Sequence, residues 1–195
     1  MRNLRRKPDQ GRYAFDPETL HAVAKTAVGL PHAQMVQKVV DGLTEQYGEL
    51  IQPQEWIFNC AGGAVGVMKL LHASLSEYIL IFGSAIGTEG FSGRYRVGIH
   101  DFMLAGEMWT YTDDRIDTRV VSRPGDAAYL SPERVKGYRL PEGGWMLEYG
   151  RGPIPTVLGF GLADAIFSMV DPKMVWDTVT TYGKLTLKNL LRGKI

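Results

Sequence analysis

Val65-Gly66-Val67-Met68-Lys69-Leu70-Leu71, Glu77-Tyr78-Ile79-Leu80-Ile81-Phe82 and Trp145-Met146-Leu147-Glu148-Tyr149 are three of seven short runs whose reading decides the fold of this chain. The others are residues 95–104, 107–112, 118–122 and 127–130. All are rich in β-branched, aromatic or other large apolar residues, and most are about four to eight residues long. Turn chemistry separates them: Gly87-Thr88-Glu89-Gly90, Thr112-Asp113-Asp114, Pro124-Gly125-Asp126 and Pro141-Glu142-Gly143-Gly144. Short strands at this spacing predict a closed or nearly closed antiparallel β-barrel over residues 56–152.

Working outward, helical signals flank the strands on both sides. Asp16-Pro17-Glu18 is a helix start, with an N-cap acid, proline in the first turn and a second acid facing the positive helix end. Leu20, Val23, Ala24 and Ala27 follow at helical spacing, and Gly29 ends the run. After Pro31, the residues Met35, Val36, Val39, Val40, Leu43 and Tyr47 recur at three and four, so residues 12–50 are expected to form N-terminal helices.

Beyond the barrel, residues 153–193 return to helical periods, with Asp171-Pro172 marking a fresh start between two helices. In the second, Val175, Val179, Tyr182 and Thr186 share one side, widened by Trp176, Gly183, Leu187 and Leu191. Lys184, Lys188 and Arg192 form a basic stripe, followed by Lys194. An apolar face with a basic border suits a helix lying on an anionic bilayer, and equally an ordinary core-packing helix with a solvated face. The architecture expected is therefore α+β, one domain over residues 1–195, with two C-terminal amphipathic helices facing a membrane surface.

Composition narrows the functional classes. The 195 residues are 45% hydrophobic and 22% charged with a net charge of +1, so no overall field attracts nucleic acid, and no nucleic-acid partner is expected. The single cysteine, Cys60, excludes an internal disulfide and reads as a small buried residue. Residues 1–11 are basic but lack the apolar run of a signal peptide. The longest apolar stretch, residues 153–170, is interrupted by Asp164, and no segment reads as a transmembrane span.

Several arrangements with possible chemistry can be weighed. Pro124-Gly125-Asp126 in a barrel resembles the cupin arrangement, but the strand after it has no histidine and no His-x-His pair occurs. His21, His32, His72 and His100 are scattered, so no metal is expected. Gly62-Gly63-Ala64-Val65-Gly66 lacks the Gly-Lys-Ser/Thr ending of a phosphate loop and reads instead as close backbone approach, within one chain or between subunits. Ser74 and Ser76 lie near His72 without a nucleophile elbow. Glu148 shares a strand face with Met146. If that face is the barrel interior, desolvation raises its pKa and suits it to proton transfer or to pairing with a cation. Spacing alone favours the commoner case of an exposed strand glutamate, and the same holds for Asp101.

His72-Ala73-Ser74-Leu75-Ser76-Glu77-Tyr78, Glu148-Tyr149-Gly150-Arg151-Gly152 with Ile154-Pro155, and Ser92-Gly93-Arg94-Tyr95 occur in an order that resembles the family joining the sterol C-8 isomerases to the sigma non-opioid receptors. Gly183-Lys184 and Lys188-Asn189-Leu190-Leu191 resemble its fungal isomerase branch. The resemblance implies that Glu148 and Asp101 form an acid/base pair, with an apolar lining of Met68, Tyr78, Leu80, Phe82, Ile99, Ile154, Leu158 and Tyr182. It implies a sterol Δ8-to-Δ7 isomerase needing no cofactor, or a receptor for hydrophobic amines or sterols on the same framework. It also implies a homotrimer at the surface of the endoplasmic reticulum membrane. The chain departs from the receptors at Ala64, where they carry a bulky aromatic, at Ser122, where a histidine is expected, and in having no N-terminal transmembrane helix.

Overall fold

The computed structural model describes residues 13–193; the basic start at residues 1–11 and Lys194 lie outside them. Helix α1, Pro17–Thr26, begins as its sequence demands: the Asp16 carboxylate accepts the Thr19 N–H at 2.9 Å, and Pro17 occupies the first turn. Helix α2, His32–Tyr47, follows, and a single 3-10 turn, Gly48–Leu50, leads into the strands.

Among the described residues, ten strands form two antiparallel sheets. They are β1 Trp56–Ala61, β2 Ala64–Ala73, β3 Glu77–Ser84, β4 Thr88–Phe91, β5 Gly98–Gly106, β6 Met108–Thr112, β7 Arg115–Ser122, β8 Ala127–Leu130, β9 Lys136–Leu140 and β10 Gly144–Arg151. The larger sheet runs β1-β2-β3-β10-β5-β8, the smaller β4-β9-β6-β7. Helices α3, Pro155–Phe167, and α4, Pro172–Leu191, close the chain, α4 being capped by Asp171, which accepts the Met174 N–H at 3.0 Å.

The larger sheet is buried on both faces. Ile79, Ile81, Phe102, Leu104, Leu147 and Tyr149 turn outward beneath α1 and α2, packing on Phe15, Leu20, Met35, Val39 and Leu43. The alternate positions, Met68, Leu70, Phe82, Met103 and Met146, face Met108 and Leu140 of the smaller sheet and Leu185 of α4. The period of two thus divides each strand between two cores. The N-terminal helices cover the outside of the sheet and leave its inner face to the space between the sheets.

The expected barrel requires correction, because the two sheets do not close. Closure would need β7 to pair with β8 and β1 with β4, yet among the described residues β8 pairs only with β5 and β7 only with β6. At the other corner β4 meets the β1–β2 turn and the start of β2 instead of pairing with β1: the Phe91 N–H donates to the Gly62 carbonyl at 2.8 Å, and the Val65 N–H to Thr88 Oγ1 at 2.8 Å. Gly87-Thr88-Glu89-Gly90, read as a turn, is largely strand β4: a Cβ on Gly90 would stand 2.7 Å from the Ala64 Cβ, so this glycine serves close packing. Gly62, at φ +60°, likewise approaches Phe91 of the same chain, so the glycine-rich segment provides close approach within the chain. Strands β1 and β9 lie where no strand was read; Gly137 interrupts the β9 pattern because the Tyr111 ring packs over it.

The single apolar side expected of α4 also divides. Tyr182 and Thr186 turn toward the protein with Leu185 and Asn189, the Asn189 side-chain amide donating to the Ala73 carbonyl at 2.8 Å. Trp176, Val179, Leu187 and Leu191 are exposed. Among the described residues, no helix is long and apolar enough to cross a membrane.

Candidate functional site

Strand β10 sets the site. It lies between β3 and β5, and its register places Glu148 opposite Leu80 on one side and opposite Asp101 on the other. Residues directly opposite on antiparallel strands share a face with Cβ atoms about 5 Å apart. Both acids therefore point into the space between the sheets. That space, about 1110 Å³ with its open mouth, is bounded by both sheets, α3 and α4.

Each acid has a different partner. The Tyr78 hydroxyl on β3 donates to Glu148 Oε1 at 2.6 Å. The Asp101 carboxylate, only 1% exposed, is ion-paired with the Lys136 ammonium from β9, so this contact joins the two sheets. Glu148 keeps accessible surface on the cavity side but is otherwise enclosed by protein. Loss of water first, and then the negative charge of Asp101, push its pKa from the ordinary 4.5 up to about 7, against the opposing pull of the Tyr78 hydroxyl and the Lys136 charge.

All eight residues that the resemblance implied as lining, Met68, Tyr78, Leu80, Phe82, Ile99, Ile154, Leu158 and Tyr182, border this cavity together with Glu148 and Asp101. They come from β2, β3, β5, α3, α4 and the loop before α3. Tyr182 also donates its hydroxyl to the Ser74 carbonyl at 2.6 Å, tying α4 to the β2–β3 turn. Its own pKa is pushed up to about 12 by burial.

Sequence reasoning missed Lys136, Tyr138, Tyr95 and Phe160, which border the same cavity. Lys136 and Tyr138 alternate along β9, and that period of two was the available signal, hidden by Gly137 between them. Tyr95 and Tyr138 have pKa values raised by burial first and then by the Glu148 and Asp101 charges. Both therefore remain neutral donors at the cavity wall.

Other residues singled out in the sequence take structural positions. Ser74 Oγ accepts the backbone N–H groups of Ser76 and Glu77, which builds the β2–β3 turn. Glu77 is fully buried and holds the segment before α1, accepting the N–H groups of Ala14 and Phe15 and the Tyr149 hydroxyl. Asp164, the charge that interrupts the apolar stretch, reaches from α3 to accept the Gly63 N–H at 2.7 Å and the Cys60 thiol at 3.9 Å. It thereby fastens α3 across the cavity. His100 lies on the opposite face of β5 from Asp101, among Phe102, Tyr129 and Tyr149; burial lowers its pKa to about 4, assisted by the Arg151 charge and opposed by Asp101. Among the described residues, no three His, Cys, Asp or Glu side chains gather as a metal site.

The arrangement can hand a proton to an apolar molecule. A carboxyl with a pKa near neutrality, beside an ion-paired carboxylate and within greasy walls, can protonate an alkene carbon and stabilise the cation that results. With Glu148 ionised, the same pair can hold an ammonium group.

The chain is 40% identical over 188 residues to the C-8 sterol isomerase of Neurospora crassa, covering 93% of this chain and 73% of that one. It is 40% identical over 190 residues to that of Pyricularia oryzae, covering 93% and 85%. The sigma non-opioid intracellular receptor 1 of Xenopus tropicalis is 39% identical over 178 residues, covering 90% and 80%. Among solved structures, an RmlC-like cupin from Shewanella frigidimarina matches 55% of this chain and 87% of its own at 20% identity and a TM-score of 0.42. The family model described as ERG2 and Sigma1 receptor like protein matches residues 3–194, and the chain belongs to that family.

Proposed function

We propose that this chain is a sterol Δ8-to-Δ7 isomerase, with Glu148 and Asp101 as its acid/base pair. The observation that carries the reading is the pairing of Glu148 with Asp101 in register, both facing an apolar cavity, in a chain about 40% identical to C-8 sterol isomerases over most of its length. Protonated Glu148 delivers its proton to C9 of the sterol. The ring then carries a tertiary cation at C8, held by the two carboxylates. Loss of a proton from C7 to the acid pair completes the shift of the double bond from Δ8 to Δ7, and no electrons change hands. Tyr78 supports Glu148 by donating to the carboxylate that appears as the proton leaves.

The receptor relatives favour one alternative: the same pair binding a hydrophobic ammonium without turnover. Incubating the purified protein with a Δ8 sterol in heavy water separates the two. A Δ7 product carrying deuterium at C9 is expected, and tight amine binding without product would establish the receptor reading instead. Glu148→Gln should abolish whichever activity is present.

Exposed Trp176, Val179 and Leu187 with the exposed bases Lys184 and Lys188 support docking of α4 on an anionic membrane surface, from which a sterol could reach the cavity. A homotrimer at the endoplasmic reticulum is the assembly the receptor resemblance implies. Light scattering of the purified protein and co-sedimentation with anionic vesicles test these two points.

A further inference from the structure

The acid pair has a third member for which the two-carboxylate mechanism has no role. Lys136 is 9% exposed, stands on β9 in the opposite sheet and reaches across to Asp101. Its strand is held firmly: the Lys136 N–H donates to Ser92 Oγ at 3.0 Å, and its carbonyl accepts the Ser92 N–H at 3.0 Å. A buried ammonium is expensive in a pocket meant to house a carbocation, because like charges repel in a medium with little water. Its presence there needs a compensating use.

We infer that Lys136 is a positioning residue of the reaction, which by ion-pairing with Asp101 assigns the site's one mobile proton to Glu148. The inference rests on the proposed acid/base pair and adds to it. With Lys136 present, the resting pocket holds one ammonium, one carboxylate and one neutral carboxyl, and carries no net charge. Transfer of the Glu148 proton leaves one surplus negative charge, which matches the single positive charge on the ring. Without Lys136, two carboxyls at paired positions would share one proton, and the pocket would be negative before any cation formed. A shared proton is held more tightly and is harder to give to an alkene carbon.

The remaining titratable groups facing the pair cannot take this part at neutral pH. Tyr78 from β3, Tyr95 from the segment before β5 and Tyr138 from β9 are raised by burial first, and Tyr182 from α4 stands at about 12. Lys136 is the cation that Asp101 pairs with. A plain structural role, a buried ion pair stapling two sheets, would leave proton bookkeeping untouched, so the experiment counts protons.

The probe is N,N-dimethyldodecylamine, protonated throughout the range used, titrated calorimetrically into the intact protein in two buffers of different ionisation enthalpy. If Glu148 alone holds the mobile proton, binding the ammonium at about pH 6 releases close to one proton, and affinity falls roughly tenfold per unit below about pH 7. In Lys136→Met the pair keeps a shared proton in both free and bound states, so release drops toward zero and affinity becomes flat between about pH 5.5 and 7. Turnover of a Δ8 sterol by that variant falls roughly tenfold or more, and the alkaline limb of its pH profile moves upward by about one unit. Lys136→Arg retains the wild-type pH dependence.

No proton release by the wild type at about pH 6 would overturn the inference without any variant, as would an unchanged pH profile in Lys136→Met. Absence of sterol turnover, with proton release intact in the wild type and lost in Lys136→Met, would instead remove the isomerase reading and leave standing only the assignment of the proton to Glu148 by Lys136.

Discussion

Replacing Glu148 by glutamine should stabilise the fold at neutral and alkaline pH while it abolishes turnover. The amide has the shape of the acid and keeps an oxygen to accept the Tyr78 hydroxyl, so packing changes little. What it removes is a buried negative charge beside Asp101. Burial and that neighbour raise the Glu148 carboxyl from 4.5 to about 7. Below about pH 4.5 it is protonated in folded and unfolded chains alike and makes no difference. As pH rises toward 7, only the folded chain still holds the proton, so stability is lost at about 1.4 kcal/mol per pH unit. Across the whole interval the loss reaches about 3 kcal/mol, and it persists at higher pH. Glutamine carries no such penalty. Urea unfolding of both proteins near pH 5 and near pH 8 should show nearly equal stability in acid and a gain for Glu148→Gln of up to about 3 kcal/mol in alkali. A gain that did not change with pH, or a variant less stable than wild type near pH 8, would refute the claim that Glu148 is held at a desolvation cost for the sake of its chemistry.

Other expectations concern how the elements around the cavity are held together. Asp164→Ala leaves the Gly63 N–H without its acceptor and frees α3 from the β1–β2 turn; a loss of about 1 to 2 kcal/mol is expected, with faster amide exchange confined to α3. Gly62→Ala would drive a Cβ into the Phe91 carbonyl at a backbone angle of φ +60°, so destabilisation of about 2 kcal/mol or more is expected by chemical denaturation.

Much of this protein is written locally. Asp16-Pro17 and Asp171-Pro172 start helices because an acid before a proline satisfies the free N–H groups of a first turn, and α4 extends over Pro172–Leu191 where helical spacing runs. The alternation in Trp145-Met146-Leu147-Glu148-Tyr149 puts Glu148 on the same face as Met146 whatever the rest of the chain does. The ordered motifs from Trp56 onward carry the family and, through it, the two acids.

Tertiary structure decided the remainder, for a physical reason in each case. Both faces of the larger sheet are apolar, one packed under α1 and α2 and the other lining the cavity, so hydrophobicity along β10 could not say which face held the ligand space. Whether the sheets close depended on pairing between edge strands distant in sequence, for which no local signal exists. Gly90 resembled part of a turn and Gly137 a break in its strand because their purpose, close approach to Ala64 and Tyr111, is visible only when those partners arrive; close approach at Gly62 was legible, but not that its partner is Phe91 of the same chain. Lys136 is the clearest instance: on its own strand it is an ordinary charged residue, and only the meeting of β9 with β5 gives it a buried carboxylate to hold.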